Sequence, residues 1–304
     1  MTGFPDWTGE APVTCAWCAA PLEGGVRRAG RTECPVCGSA TTDPMPDQQS
    51  LDAAYGDWYW PSSGTRFGAI GDRLLRRARA SMASRINEVA PAGPILDVGA
   101  GEGTLIDALE ELGREASGLE RLPSREDIRD GTVFDVEGPY AAIVFWHSLE
   151  HLPDSGATIT EVARKLAPGG VVFIAVPDLA SRQAQRFGDR WLHLDLPRHL
   201  VHLRSDALVA GLKERGFEIG EVSPVRAGQV VIGWLDGFVT GLPGGLNLYQ
   251  ALRRKSARRI RMSPAQRLAS IVAGVVLFPL ALVCAAAEIR SGRSGTVYVE
   301  GRLV

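Results

Sequence analysis

Apolar positions in the middle of the chain fall into two alternating patterns. Short unbroken runs at 95–98, 141–146 and 171–176 read as strands buried on both faces, while apolar residues three and four apart at 104–112 and 159–166 read as helices. The clearest unit spans 94–120. Ile95-Leu96-Asp97-Val98 is a strand, Gly99-Ala100-Gly101-Glu102-Gly103 a tight turn, and 104–112 a helix with Leu105, Ile106, Leu109 and Leu112 on one face. A second apolar run then ends in Gly118-Leu119-Glu120. Further strands are expected at 132–135, 217–225 and 296–304. This alternation predicts an α/β fold, a doubly wound, mostly parallel seven-stranded Rossmann-like sheet. Ligands of such sheets bind outside the carboxyl ends of the strands, which puts the glycine turn, Asp97 and Glu120 at the binding rim, with Glu120 placed to hold a ribose diol.

The spacing of the turn excludes a dinucleotide fingerprint, G-x-G-x-x-G, because Thr104 stands where the third glycine is required. An acid at the strand end followed by G-x-G-x-G resembles the first motif of the class I S-adenosylmethionine-dependent methyltransferases. Phe145-Trp146-His147-Ser148-Leu149-Glu150-His151-Leu152 is similar to the fourth-strand motif of one of their subfamilies, and the stretch 166–177 to its fifth. The resemblance implies S-adenosylmethionine as cofactor, bound by Asp97, Gly99, Gly101, Gly103, Glu120, Asp135 and His147, with Asp135 accepting the adenine amino group. It also implies that the segment 46–93 folds over the cofactor. There Tyr55, Trp58, Tyr59 and Trp60 either cap the cofactor or pack a basic lead-in helix at 72–89 onto the sheet.

All five histidines lie in two short segments, His147 with His151, and His193 with His199 and His202, both expected to follow strand ends. His147 to His151 spells H-x-x-E-H, but a zinc-hydrolase reading needs a long helix, and here a strand ends at Trp146 and Pro153 closes the turn. The segment 189–202 resembles the substrate-side lid of the same subfamily. Transfer to oxygen or nitrogen requires a base, for which His147, His193 and His199 are the candidates, and Arg198 suits an anionic substrate group.

Four of the five cysteines, Cys15, Cys18, Cys34 and Cys37, follow C-x2-C-x15-C-x2-C, the spacing of a structural four-thiolate zinc site. The expected unit is a zinc ribbon at 1–45, too small for a core of its own.

About seventy residues separate the sixth and seventh strands, where this fold ordinarily has a short connection. They hold an apolar stretch at 230–248, a basic run at 253–267 and an uncharged apolar stretch at 268–287, long enough to cross a bilayer. The few residues left before the seventh strand cannot return through a hydrocarbon core of roughly 30 Å, so both ends of the insertion must lie on one side. Pro279 is expected to kink the helix. These features predict a peripheral or monotopic segment, 228–287, on the cytoplasmic side of the cell membrane, with its arginines at the headgroups.

With 45% hydrophobic and 22% charged residues and a net charge of -2, the composition is globular and gives no general case for nucleic acid. Residues 1–10 lack both the basic start and the apolar core of a signal peptide, so the bulk of the chain is expected in the cytoplasm. The expected domains are 1–45 (ribbon), 46–93 (linker and helical cap), 94–226 (methyltransferase), 227–293 (insertion) and 294–304 (last strand). The expected activity is methyl transfer, with oxygen the first choice, to a small or lipid-linked acceptor. An RNA methyltransferase gripping RNA through the ribbon, and a cofactor-binding membrane adaptor without chemistry, remain the alternatives.

Overall fold

The computed structural model describes residues 6–28, 30–56, 69–123, 125–224, 227–255 and 258–304. The aromatic residues Trp58, Tyr59 and Trp60 lie outside them. Seven strands form one sheet: β1 (Ile95–Val98), β2 (Ala116–Leu119), β3 (Ile128–Arg129), β4 (Tyr140–Trp146), β5 (Leu166–Pro177), β6 (Phe217–Ser223) and β7 (Thr296–Leu303). Their order is β6-β7-β5-β4-β1-β2-β3. Strands β3, β2, β1, β4 and β5 run parallel, and β7 lies antiparallel between β5 and β6. The chain runs outward in opposite directions from the β1/β4 pair, so the crevice at their carboxyl ends is the switch point. Every residue of β1 is buried, and all of β4 but Trp146, as expected for strands covered on both faces.

Helices α1 (Ala69–Val89), α2 (Thr104–Glu110), α3 (Ser155–Lys165) and α4 (Ser205–Glu214) flank the sheet. One expected strand is corrected. Residues 132–135 form no strand: Val133–Asp135 is a 3-10 turn closed by a capping box, in which Asp135 Oδ2 accepts from the Thr132 N–H (2.8 Å) and hydroxyl (2.7 Å). The third strand lies earlier, at Ile128–Arg129.

The ribbon is not a separate unit. Its strands Val26–Arg28, Arg31–Glu33 and Ala40–Thr42 form a sheet that continues onto Val201–His202 of the lid. Cys15, Trp17, Leu22 and Cys34 share one buried cluster with β1, β4 and α4 residues, and Trp17 Nε1 donates to the Ala207 carbonyl at 2.9 Å. It therefore uses the core of the main fold.

The insertion contains α5 (Ala227–Thr240), a short helix at Leu248–Leu252, and α6 (Pro264–Arg290), which runs as one helix through Pro279. Small residues of α6, Ser270, Gly274, Ala281 and Ala285, are buried, whereas Leu268, Val275, Val276 and Val283 are 64%, 71%, 71% and 67% exposed. This inverts the usual pattern of a surface helix, whose large apolar residues face the core. Both ends of α6 are tied to the same body. Near its start the Ser270 hydroxyl accepts from the Asn247 N–H (3.1 Å), and near its end buried Glu288 accepts from Gln183 and Trp234 (2.8 Å each). By length and composition it is the single described helix that could cross a membrane.

Candidate active site

The glycine turn follows β1 with Gly99, Gly101 and Gly103 at φ of +83°, +60° and +76°, a backbone that side chains resist. Gly99 has no room either: a Cβ there would stand 2.4 Å from Ser148 Cβ, and the buried Ser148 hydroxyl donates to the Val98 carbonyl. Strand β1 and the loop after β4 are thus locked together at the crevice.

Glu120 follows β2 and folds over the turn. Its Oε2 accepts from the Gly101 N–H and its Oε1 from the Arg121 N–H, each at 2.8 Å. Asp97 is 3% exposed, and its Oδ1 has no hydrogen-bond partner among the described residues. Burial raises its carboxyl to about 6, against the pull of Arg79 and with the push of Glu120. A buried carboxylate with one unpartnered oxygen beside a glycine cradle fits a cationic amino group, which would supply the missing donor. Asp135 is exposed and engaged by Thr132, so its predicted adenine contact gains no support from its placement. Register places Asp130 level with this rim, since the Glu120 N–H donates to the Arg129 carbonyl at 3.0 Å.

Across the crevice, His147 closes β4 in the left-handed region, φ +56°, with its N–H on the Ala175 carbonyl (2.8 Å). Its Nδ1 lies 3.4 Å from Glu150 Oε1, and its Nε2 lies 3.4 Å from Gln229 Nε2 of α5. Glu150 is 2% exposed. Burial acts to raise its carboxyl, but the His147 bond and the fields of His147, His151 and His199 outweigh it and hold the group at about 2.

The segment 189–202 brings the second histidine group to the first. His151 and His199 meet edge to face with ring centres 4.7 Å apart, and one ligand atom each from Glu150, His151 and His199 lies within 4.8 Å of the others. His151 Nδ1 is 2.9 Å from the Arg198 carbonyl and 3.0 Å from the Tyr55 hydroxyl. Burial lowers His199 to about 4 and His193 to about 3, so both are neutral imidazoles at pH 7. Arg198 is paired with Asp195 and stacked over Tyr55 at 5.8 Å, and Arg259 of the insertion approaches Asp195 at 3.6 Å. His202 belongs to the ribbon side, its Nε2 3.1 Å from the Thr42 hydroxyl.

A family model described as a methyltransferase domain matches residues 71–222. The chain belongs to this methyltransferase family. Among its relatives, a probable S-adenosylmethionine-dependent methyltransferase of Mycolicibacterium smegmatis is 30% identical over 44% of this chain and 55% of its own length. A ubiquinone biosynthesis O-methyltransferase of Xylella fastidiosa is 27% identical over 43% of this chain and 63% of its own. The chain thus spans little more than half of the first of these and under two thirds of the second. Among solved structures, a putative sarcosine dimethylglycine methyltransferase of Galdieria sulphuraria aligns at 15% identity and a TM-score of 0.49, over 83% of this chain and 98% of that one.

In this chain Cys15, Cys18, Cys34 and Cys37 converge with their sulfur atoms within 4.8 Å of one another; Cys15 to Cys37 is 3.7 Å and Cys18 to Cys34 3.6 Å. A tetrahedral Zn²⁺ with Zn–S bonds of about 2.3 Å separates its sulfurs by about 3.8 Å, so the donor set fits zinc. The adjoining strand reaches the second histidine segment, where the Thr42 hydroxyl donates to the His199 carbonyl at 2.6 Å.

Two residues of the site, Glu150 and Gln229, are absent from the sequence-based candidates. Glu150 was legible as a neighbour of His147 in the H-x-x-E-H string. Gln229 carries no signal in the sequence, since it reaches His147 only through the packing of α5.

Proposed function

We propose that this chain transfers the methyl group of S-adenosylmethionine to a hydroxyl of a small or lipid-linked acceptor at the cytoplasmic membrane surface. The observation that carries the reading is the opposition, across one crevice, of an acid-and-glycine cradle and a cluster of imidazoles. Asp97 and Glu120 with the turn 99–103 would hold the cofactor, which supplies a methyl group already activated as a sulfonium. His147 would take the proton that the acceptor hydroxyl loses, and alignment of donor and acceptor would contribute most of the rate. His193 and His199 would shape the acceptor side, and Arg198 the recognition of an anionic group on it. Zinc at the four cysteines would hold the ribbon against the lid, a structural role.

The exposed apolar side of α6 and the cations around it, including Arg254, Arg261 and Arg267, support a monotopic attachment to an anionic leaflet. The O-methyltransferase of ubiquinone biosynthesis among the relatives supports an oxygen acceptor of lipid character. The test is incubation of the protein with methyl-labelled S-adenosylmethionine and, in parallel, membrane-lipid and aqueous extracts. Label is expected in a lipid or small-molecule product and absent with His147→Ala; label confined to RNA would refute this acceptor class.

A further inference from the structure

The loop after β4 holds a buried carboxylate that the transfer reaction itself does not use. Glu150 sits on the 3-10 turn Leu149–His151, which bends the chain so that a residue three positions on faces back to the His147 ring. Apart from the His147 Nδ1 contact at 3.4 Å, neither Glu150 oxygen meets a donor among the described residues. An ionised carboxylate accepts hydrogen bonds and donates none, so it favours a proton on the ring nitrogen that faces it. The other nitrogen, Nε2, faces the side-chain amide of Gln229, whose Oε1 is buried and has no partner among the described residues. An amide N–H can donate to a bare imidazole nitrogen, which agrees with that assignment.

We infer that Glu150 and Gln229 are positioning residues which fix His147 as the Nδ1–H tautomer, leaving Nε2 bare as the atom that takes the acceptor's proton, and that Gln229 marks where the acceptor hydroxyl enters. The insertion thereby completes the active site, because α5 delivers Gln229. The remaining groups around the ring agree with this. Trp146 meets it edge-on with ring centres 6.2 Å apart, His193 is neutral, and the His147 backbone is held on Ala175. On proton transfer the acceptor O–H bond breaks and an Nε2–H bond forms, and the imidazolium so produced lies against the Glu150 carboxylate, which stabilises it.

The inference rests on the reading of His147 as base, yet the tautomer is measurable without any acceptor. The experiment is long-range ¹H–¹⁵N correlation on the full chain with ¹⁵N-labelled histidine at pH 7.5, the five rings assigned by single substitutions. His147 is expected with Nδ1 protonated and Nε2 bare. Glu150→Leu should release the ring toward the Nε2–H form, and Gln229→Glu, at a half-buried site that tolerates the change if the first variant misfolds, should draw a proton onto Nε2. An Nε2–H ring in the parent protein, or a ring that neither Glu150→Leu nor Gln229→Glu moves, overturns the inference. So does joint broadening of His147, His151 and His199 by Mn²⁺, which would put a cation on Glu150. Loss of turnover in His147→Ala tests the base reading separately, so the two can fail independently.

Discussion

Gly99 and Ser148 touch across the switch point of the sheet, where a Cβ on Gly99 would come within 2.4 Å of Ser148 Cβ. The first prediction follows from that contact. Gly99→Ala combines a left-handed backbone, φ +83°, with a clash against a buried neighbour. Strain costs about 1–3 kcal/mol and overpacking about as much again. Thermal unfolding should show this loss, and calorimetry should show weakened cofactor binding; an unchanged midpoint would mean that the two loops are not locked together.

Asp97 makes cofactor binding depend on pH. Its folded carboxyl lies at about 6 against an ordinary 3.8, so between those values the native state keeps a proton that the unfolded chain has released. Stability from this group therefore falls as pH rises from 3.8 through 6, opposite to the usual carboxylate. A cationic ligand group favours the anion, so binding below pH 6 should release a proton and affinity should rise toward a plateau above it. Titrations in buffers of different ionisation enthalpy measure the release. If Asp97→Asn keeps the parent's pH profile, the group is elsewhere.

The glycine turn, Asp97, Glu120 and the four cysteines could be read from the sequence because each is a local demand: a positive φ, a strand end, a ligand spacing. The turn at Asp135 could not be read correctly, and a strand was expected there. Its T-x-x-D string closes a capping box on Thr132, and local hydrogen bonding outweighed the strand propensity of Val133 and Phe134. Gln229 and the docking of the ribbon were hidden for another reason. Their decisive contacts, to His147 and from Trp17 to Ala207, join residues 82 and 190 positions apart.

That docking changes what loss of zinc should do. Cys34 is 3% exposed and shares a buried cluster with β1 and β4 residues, so Cys34→Ser should affect more than the ribbon. Elemental analysis should give one zinc per chain, lost in the variant, and the thermal midpoint should fall by roughly 5–10 °C. A variant with full zinc would refute the site, and an unchanged midpoint would refute its coupling to the core.

The inverted helix α6 separates surface from core. Val276 and Val283 are 71% and 67% exposed, so Val276→Glu with Val283→Glu should change stability by no more than about 0.5 kcal/mol per site. Flotation with vesicles containing anionic lipid should nevertheless be lost. Vesicle binding equal to the parent's would show that α6 does not meet the membrane.

The placement of Glu120 over the turn, on the Gly101 N–H at 2.8 Å, bears most directly on where the cofactor sits. Removing a charged hydrogen-bonding partner costs about 1.5–3 kcal/mol, roughly 10- to 150-fold in affinity. Calorimetric titration of S-adenosylhomocysteine into the parent and Glu120→Ala should show one site per chain, weakened by that factor in the variant, and no heat with a nicotinamide dinucleotide. Equal affinity in the two proteins, or binding of the dinucleotide at the same site, would contradict the account.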